Sequence, residues 1–414
     1  MAENLIGSEI IKLANEVNEL IRKGEKISNF TIGDFDPAVF PIPERLAQRI
    51  LEAYKQGQTN YPVANGMPDL RKAVSRFINR SQKLDYSADE VLITGGARPA
   101  IYGIYKTLID PGDTVIYPVP SWNNNHYCHL TLAKGVMVET TADKFFMPDA
   151  SQLKPHISNA TLIALCSPLN PTGTVFGREQ LSGICELVLN ENEKRKGKSK
   201  PLYIMYDQVY SSLLFSGTHH YDPVSLFPEM RPYTLFVDGI SKSFAATGVR
   251  VGWAFGPKEI ISRMAAILSH VGAWAPKAEQ IAVTHFVNDD AAVDSFLNHF
   301  RTEIDSRLQA FYKAFQELKS RGYSVECIAP QAAIYLTVKF DLKRLKTTDG
   351  LLLKDQVDVT SYLLNKAGLA IVPFSAFGSS HDSPWYRLSV GTCRGAMDVP
   401  QIMNRLESAL SELK

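Results

Sequence analysis

The sequence predicts an α/β protein: a mostly parallel, helix-covered sheet followed by a smaller α+β domain. Three observations point there. From about residue 89, short apolar runs recur as VLIT, TVIY, GVMVE, TLIALC, LYIMYD, TLFVD and VGWAF. Several are separated by helix-length stretches, the alternation expected when parallel strands are joined by crossovers. Beyond roughly residue 300 the rhythm changes. A helical pattern over Phe300 to Leu318 leads to AIYLTVKF, LAIVP and WYRLSV, and then to a closing helix with Val399, Ile402, Met403, Leu406 and Leu410. Finally, 414 residues with 45% apolar and 21% charged content exceed one ordinary core, so two packed domains are expected.

Taken in order, Ile10, Ile11, Leu13, Ala14, Val17, Leu20 and Ile21 recur at helical spacing and predict an amphipathic opening helix ending near Gly24. NFTIGDFDPAVFPIPE follows, with Gly33 and three prolines, and reads as an extended crossing segment that could wall a pocket. The charged run ENEKRKGKSK (191 to 200) reads as a solvated helix end and loop before the next buried strand. No internal repeat or low-complexity tract interrupts the chain. The expected division is an N-terminal segment 1–48 that contributes to the small domain, a large domain 49–299 and a small C-terminal domain 300–414.

Composition narrows the partners. Lys+Arg 44 against Asp+Glu 43 gives a formal charge of +1, no electrostatic footprint for nucleic acid or an anionic membrane, so a small molecule is the expected ligand. Cys128, Cys166, Cys185, Cys327 and Cys393 are odd in number and lack metal-ligand spacing, which predicts reduced core thiols and no metal site. MAENLIGSEI lacks a basic stretch followed by an apolar one, and no later run approaches a membrane span. A cytoplasmic protein is expected.

Chemistry concentrates in a few segments. In DGISKSFAATGVRVGWAFGP (238 to 257) a strand ends in small residues and Lys242, and a glycine-punctuated turn leads to Arg250. An isolated lysine is ordinarily a surface residue whose stem lies on apolar neighbours. In LITGGARPAIYGIYKTL (92 to 108) a strand runs into two glycines and a helical pattern, the geometry that aims backbone N–H groups at a phosphate, although such a glycine turn is often only a turn. SPLNPTG (167 to 173) follows the buried strand TLIALC, and Asn-Pro is also an ordinary turn pair. Asp207 closes the next apolar run, with Tyr210 three residues on; a buried aspartate is costly unless paired, and the plain alternative is a strand-end cap.

Taken together and in this order, these segments resemble the class I/II aminotransferases of fold type I, which depend on pyridoxal phosphate (PLP). The resemblance spans about residues 25 to 410. It implies a mostly parallel seven-stranded sheet in the large domain and a homodimer. It also implies that Lys242 is the lysine joined to the cofactor aldehyde, with its pKa lowered by burial beside other cations. Ser241, Arg250 and the backbone of Gly96 and Ala97 would hold the phosphate. Trp122 in PVPSWNNNH would stack on the pyridine ring, though alone it could merely fill the core. Asn170 and Tyr210 would reach the phenolic oxygen, and Asp207 would pair with the ring nitrogen. In YRLSVGTCR, Arg387 would fork onto the substrate α-carboxylate, leaving Arg394 as a surface ion-pair candidate. Gly33 would close over that carboxylate, and Tyr61, from NYPVANGMPDLRKAV, would reach the phosphate of the neighbouring subunit.

The implied reaction moves an amino group from an L-amino acid to a 2-oxo acid in a ping-pong cycle, with Lys242 shuttling the α-proton. Aspartate leads among donors on family frequency alone, with 2-oxoglutarate as acceptor. Aromatic and other neutral donors stay open, because no further arginine is identifiable as a clamp for a distal carboxylate. The role of Arg98 is open; Asn124, Phe40 and Trp274 are further candidates near the side-chain pocket. Two departures bear on substrate: Gln208 stands in DQVY where many members have an acidic residue, and VGAWAPKAEQ (271 to 280) is less typical. Two rivals remain: a PLP-dependent carbon-sulfur β-lyase or related lyase on the same fold, and an aminotransferase-like sensing domain, against which stands the lack of an appended basic DNA-binding module.

Overall fold

The computed structural model describes residues 9–215 and 217–414. The reading of the N-terminus as leaderless falls on residues 1–8, outside the described residues. All seven expected apolar runs are strands: β1 (Val91–Thr94), β2 (Thr114–Val119), β3 (Lys134–Glu139), β4 (Ala160–Cys166), β5 (Tyr203–Asp207), β6 (Thr234–Gly239) and β7 (Gly252–Phe255). They form one sheet in the order β1-β7-β6-β5-β4-β2-β3. Pairing is parallel except where β7 meets β6 and β1.

Side chains alternate between the two sheet faces, and both faces are sealed. Ile163, Leu165, Ile204, Tyr206 and Trp253 enter one core with Leu70, Phe77, Ile184 and Phe286 from helices Pro68–Gln82, Arg178–Arg195 and Lys277–Val287. Leu162, Ala164, Met205 and Ala254 enter the other, against Ile101 and Ile104 of helix Ala97–Leu108 and Met264 and Leu268 of Lys258–Val271. This double burial explains why these strands read as continuous apolar runs.

Register then fixes where polar chemistry can sit. Thr94 lies opposite Gly252, Gly252 opposite Gly239, Asp207 opposite Val237, and Cys166 opposite Asp207. One rim of the sheet therefore gathers the ends of β1, β4, β5 and β6 and the start of β7, the edge at which open α/β sheets bind ligands.

A second core joins the C-terminal elements to the crossing segment: Phe30, Phe35 and Phe40 pack with Phe300, Phe311, Tyr335, Leu336 and Leu388. Its sheet is β8 (Val325–Cys327), β9 (Tyr335–Phe340), β10 (Val372–Pro373) and β11 (Trp385–Ser389), in the order β10-β11-β9-β8. The long helix is Asp290–Ser320, ten residues earlier in its start than the apolar spacing suggested, because the Asp289 side chain caps it by accepting from the Ala292 N–H. LAIVP, read as one strand, splits: Leu369–Ala370 pairs with Ser28–Asn29, while Val372 pairs with Arg387. The closing helix spans Val399–Ser411, and the opening helix ends at Arg22. Among the described residues no helix is long and apolar enough to cross a membrane, and no group of His, Cys, Asp and Glu could hold a metal ion. All five cysteines are free.

The charged run needs correction. Helix Arg178–Arg195 continues through its first half, and Glu191, Asn192 and Arg195 are buried. Arg195 pairs with Glu191 at 2.9 Å and donates to the Ala160 carbonyl at 2.7 Å, tying this helix to the start of β4. Only Glu193, Lys194 and the residues beyond Arg195 match the solvated reading, because in the sequence a buried arginine with its own carboxylate one turn away looks like any surface pair. Arg195→Ala leaves the buried Glu191 with only the exposed Lys194 at 3.6 Å and frees the carbonyls that Arg195 served, so thermal or urea unfolding should report a loss of roughly 3 kcal/mol, against less than about 0.5 for Lys196→Ala on the exposed flank.

Candidate active site

The rim places Lys242 at its centre. β6 ends in Gly239, and the short helix Ile240–Ser243 turns the lysine back toward the sheet end. Its Nζ donates to the Gly33 carbonyl at 2.6 Å and lies 5.6 Å from the centre of the Phe35 ring. Burial above all, with Arg387, Arg98 and Arg250 nearby, pulls the amine down to about 8 against the opposing pull of Asp34. An amine in that state is partly neutral near pH 7, the form that can attack a carbonyl carbon or take a proton.

Beside it a turn made for close approach links β1 to helix Ala97–Leu108. Gly96 caps the helix with φ +94, and a Cβ there would stand 2.2 Å from the Arg250 Nη2. A Cβ on Gly252 would meet the Gly96 carbonyl carbon at 2.6 Å and the Ala97 nitrogen at 2.7 Å. Arg250 donates to the Gly95 carbonyl at 2.8 Å and to the Thr247 carbonyl at 2.5 Å, while the Gly95 N–H donates to the Ala273 carbonyl at 2.8 Å. The atypical VGAWAPKAEQ stretch thus buttresses the turn. A helix N-terminus with a guanidinium over it is an anion seat.

Asp207 ends β5 with a carboxylate that accepts from the Val209 N–H at 3.2 Å and faces no cation among the described residues. Burial lifts it to about 6. Behind it Gln208 is fully buried, donating to Gln82 at 2.8 Å and meeting His220 Nε2 at 3.2 Å. In the same layer burial raises the Asp238 carboxyl to about 8. A neutral residue at 208 is consistent with this apolar depth, where another anion would compound the cost.

Arg387 reaches the same space from β11. It is 1% exposed, its Nη1 donates to Asn170 Oδ1 at 3.0 Å and its Nη2 to the Thr31 carbonyl at 2.6 Å. Its guanidinium carbon lies 4.8 Å from the Tyr335 ring centre and 4.9 Å from that of Phe377. No carboxylate pairs with it among the described residues. Gly33 packs against it: a Cβ there would lie 3.3 Å from Nη1. Tyr210 is buried, with its hydroxyl 2.5 Å from that of Tyr335.

Most expected residues therefore converge. Lys242, Gly33, Asn170 and Arg387 are linked by the contacts above, as are Gly96, Ala97 and Arg250; Ser241 precedes Lys242 in its turn. Trp122 packs near Phe377 at 6.1 Å and lies 5.5 Å from the Arg98 guanidinium carbon. A cavity of about 200 Å³ lies between Ser121–His126 and Ser375–Gly378, with Trp122 and Phe377 in its wall. Tyr61 is not brought in. It is 83% exposed, edge-on to Trp274 at 5.7 Å in an open cleft that also holds Tyr54 and Lys277. Asn124 is held by Tyr105 and Ser121, and Phe40 belongs to the smaller core, under Arg307. Arg394 is exposed and makes no ion pair among the described residues, contrary to expectation; its carbonyl instead accepts from Arg307. Sequence reading missed Asp34, Phe35, Tyr335 and Phe377. A register argument on AIYLTVKF and YRLSV could have found Tyr335, since β9 and β11 pair through Thr337 and Arg387.

Comparison with known proteins agrees with this geometry. The family model described as aminotransferase class I and II matches residues 25–406. Among curated relatives, an aspartate aminotransferase from a Bacillus species is 29% identical, covering 91% of each chain. An aspartate/prephenate aminotransferase from Thermus thermophilus is 30% identical, covering 87% of each. The crystal structure of the aspartate aminotransferase from Rhizobium meliloti superposes with a TM-score of 0.90 at 27% identity, over 100% of this chain and 98% of that one. The Thermus thermophilus aspartate aminotransferase with maleate gives 0.85 at 26% identity, over 99% and 98%.

Gly96→Ala places a methyl group in the guanidinium of Arg250 at a backbone angle unfavourable for alanine. Pyridoxal phosphate titrated into the variant, followed by its visible absorbance, should bind at least about tenfold more weakly than to the parent protein.

Proposed function

We propose that this chain, which belongs to the class I and II aminotransferases and uses pyridoxal phosphate, moves the amino group of an acidic L-amino acid, aspartate foremost, to a 2-oxo acid such as 2-oxoglutarate. One observation carries the reading: three guanidiniums, those of Arg250, Arg387 and Arg98, lie near enough to Lys242 to depress its pKa, and none has a carboxylate partner among the described residues. Of the three only Arg387 is buried, at 1% exposure, and a buried guanidinium without a counter-ion is costly, while Arg250 and Arg98 stand exposed at the mouth of the site, so the ligands are expected to bring the negative charge. Three cations match three anionic groups: the cofactor phosphate, the substrate α-carboxylate and a distal carboxylate.

The residues present fit the cofactor. Gly96 and Gly252 let the β7 start and the Arg250 guanidinium close onto the turn where a Cβ would clash, setting Arg250 beside the helix N-terminus at Ala97, and Ser241 precedes Lys242. Asp207 lacks a cation and would hold the proton of the ring nitrogen, Trp122 offers a flat face to the ring, and Asn170 and Tyr210 would hold the phenolic oxygen. When bound, pyridoxal phosphate supplies the electron sink that takes up charge left on the substrate α-carbon. Lys242, as the covalent anchor, leaves the Gly33 carbonyl, and its neutral amine moves the proton at the α-carbon. Arg387 forks onto the α-carboxylate, with Gly33 closing over it, and Asn170 keeps that guanidinium in plane. Arg98, over Trp122, takes the distal carboxylate. The relatives' names, aspartate and aspartate/prephenate aminotransferase, and the maleate in the Thermus thermophilus structure support a dicarboxylate over a neutral substrate, and an aminotransferase over a lyase.

Exposure of Tyr61 beside Leu51, Tyr54 and Val63 supports a homodimer in which Tyr61 reaches the partner's phosphate site. The two cores support the division 1–48, 49–299 and 300–414, with helix Asp290–Ser320 spanning the second boundary. The free cysteines support a cytoplasmic setting.

Covalent capture of pyridoxal phosphate by cofactor-free protein should accelerate about tenfold per pH unit below pH 8 and level off above it, tracking the neutral amine of Lys242. Lys242→Ala should abolish both capture and amino transfer; a variant that keeps parental turnover refutes the assignment. In a donor panel against 2-oxoglutarate, Arg98→Ala should lower kcat/KM for aspartate roughly 10- to 100-fold and leave neutral donors within about twofold. Equal losses for both classes would remove Arg98 from the acidic subsite.

A further inference from the structure

Tyr335 touches two functional groups at once without facing the reacting atoms. It opens β9, is 1% exposed, and its hydroxyl meets that of Tyr210 at 2.5 Å, with the rings 5.5 Å apart at 70°. That is its only side-chain hydrogen bond among the described residues. Its ring face meanwhile carries the Arg387 guanidinium, whose carbon lies 4.8 Å from the ring centre. The space for the hydroxyl is reserved: a Cβ on Gly33 would stand 2.8 Å from it.

Proton counting decides the direction of the contact. Each phenol has one proton, so only one of the two hydroxyls can donate along it. An anionic oxygen bound at Tyr210 claims the Tyr210 proton, and the remaining donor is Tyr335. Its donation polarises the Tyr210 hydroxyl and makes it a stronger donor in turn, a cooperative chain in a site shielded from water. The other titratable or charged groups facing the pair are Arg387 from β11, Asp34 from the crossing segment and Cys166 from β4.

We propose that Tyr335 is a positioning residue, its hydroxyl committing the Tyr210 proton to the phenolic oxygen of the cofactor and its ring face holding Arg387 for the substrate carboxylate. The assignment rests on the role given above to Tyr210. It makes one side chain of the smaller core a joint between the two ligand groups, so that removing the hydroxyl and removing the ring have different effects.

Tyr335→Phe and Tyr335→Leu, loaded with cofactor, separate these effects. In the phenylalanine variant a weaker donor stabilises the phenolic oxygen less, so the pH midpoint of the visible band should rise by roughly 0.5 unit or more. KM for aspartate should stay within about twofold, because the ring remains under Arg387. The leucine variant should show the same spectral rise and raise that KM about fivefold or more, through loss of the cation–π contact. Affinity of the cofactor-free variants for pyridoxal phosphate should fall only about two- to threefold, because the phosphate seat is untouched. A midpoint in Tyr335→Phe within about 0.1 unit of the parent overturns the proposal whether or not Tyr335→Leu folds. A parental enzyme with no titrating visible band, or with Lys242 unmodified after borohydride reduction, overturns the cofactor reading itself.

Discussion

A parallel sheet covered by helices on both faces leaves its strand ends as the place where polar groups can gather without breaking a core. Here the register defines that rim: Cys166 and Asp207 lie level with each other and with Val237, and Thr94, Gly252 and Gly239 lie level with one another two residues further on. Lys242, Asp207, Asn170 and the Gly96 turn hang from those ends or from the turns that follow them, and Trp122 follows the end of β2. The antiparallel β7 matters for this reason, because its reversed direction lets Gly252 open at the rim where Gly239 closes.

The second consequence is electrostatic. The rim and the smaller core bring Lys242, Asp207 and Arg387 into water-poor surroundings, and none of them forms a salt bridge among the described residues, although Asp34 acts on Lys242. In a site built only for stability such groups would be paired or replaced by apolar residues. Their arrangement makes sense when the missing charges arrive with the ligands, an amine held near neutrality beside an acidic group and a fork waiting for a carboxylate.

Much of this was legible in the residues. The seven strands announced themselves because double burial removes the polar alternation that would blur them; Asp207 and Lys242 stood out where such runs end, and Arg387 came through the family resemblance of YRLSVGTCR. What stayed hidden depended on tertiary contacts. Arg195 looked solvated because its partners are the carbonyls of another element, and LAIVP split because its two halves serve different sheets. Tyr335 was invisible for a related reason: within AIYLTVKF it is an ordinary strand aromatic, and only the pairing of β9 with β11 sets it under Arg387. Arg98 was singled out after the glycine turn with its role open; its place over Trp122 comes from a helix and a loop that meet only in space.

The hydrogen bond from Arg387 to the Thr31 carbonyl joins positions 356 residues apart. During synthesis the large sheet can collapse as soon as its strands have emerged, but the carboxylate fork waits for β11, which follows every other strand named here. A nascent chain that stops short of β11 thus has its phosphate seat and Lys242 but no fork for the substrate carboxylate. Slow closure of such distant contacts is the cost of composing a pocket from segments so far apart in one polypeptide.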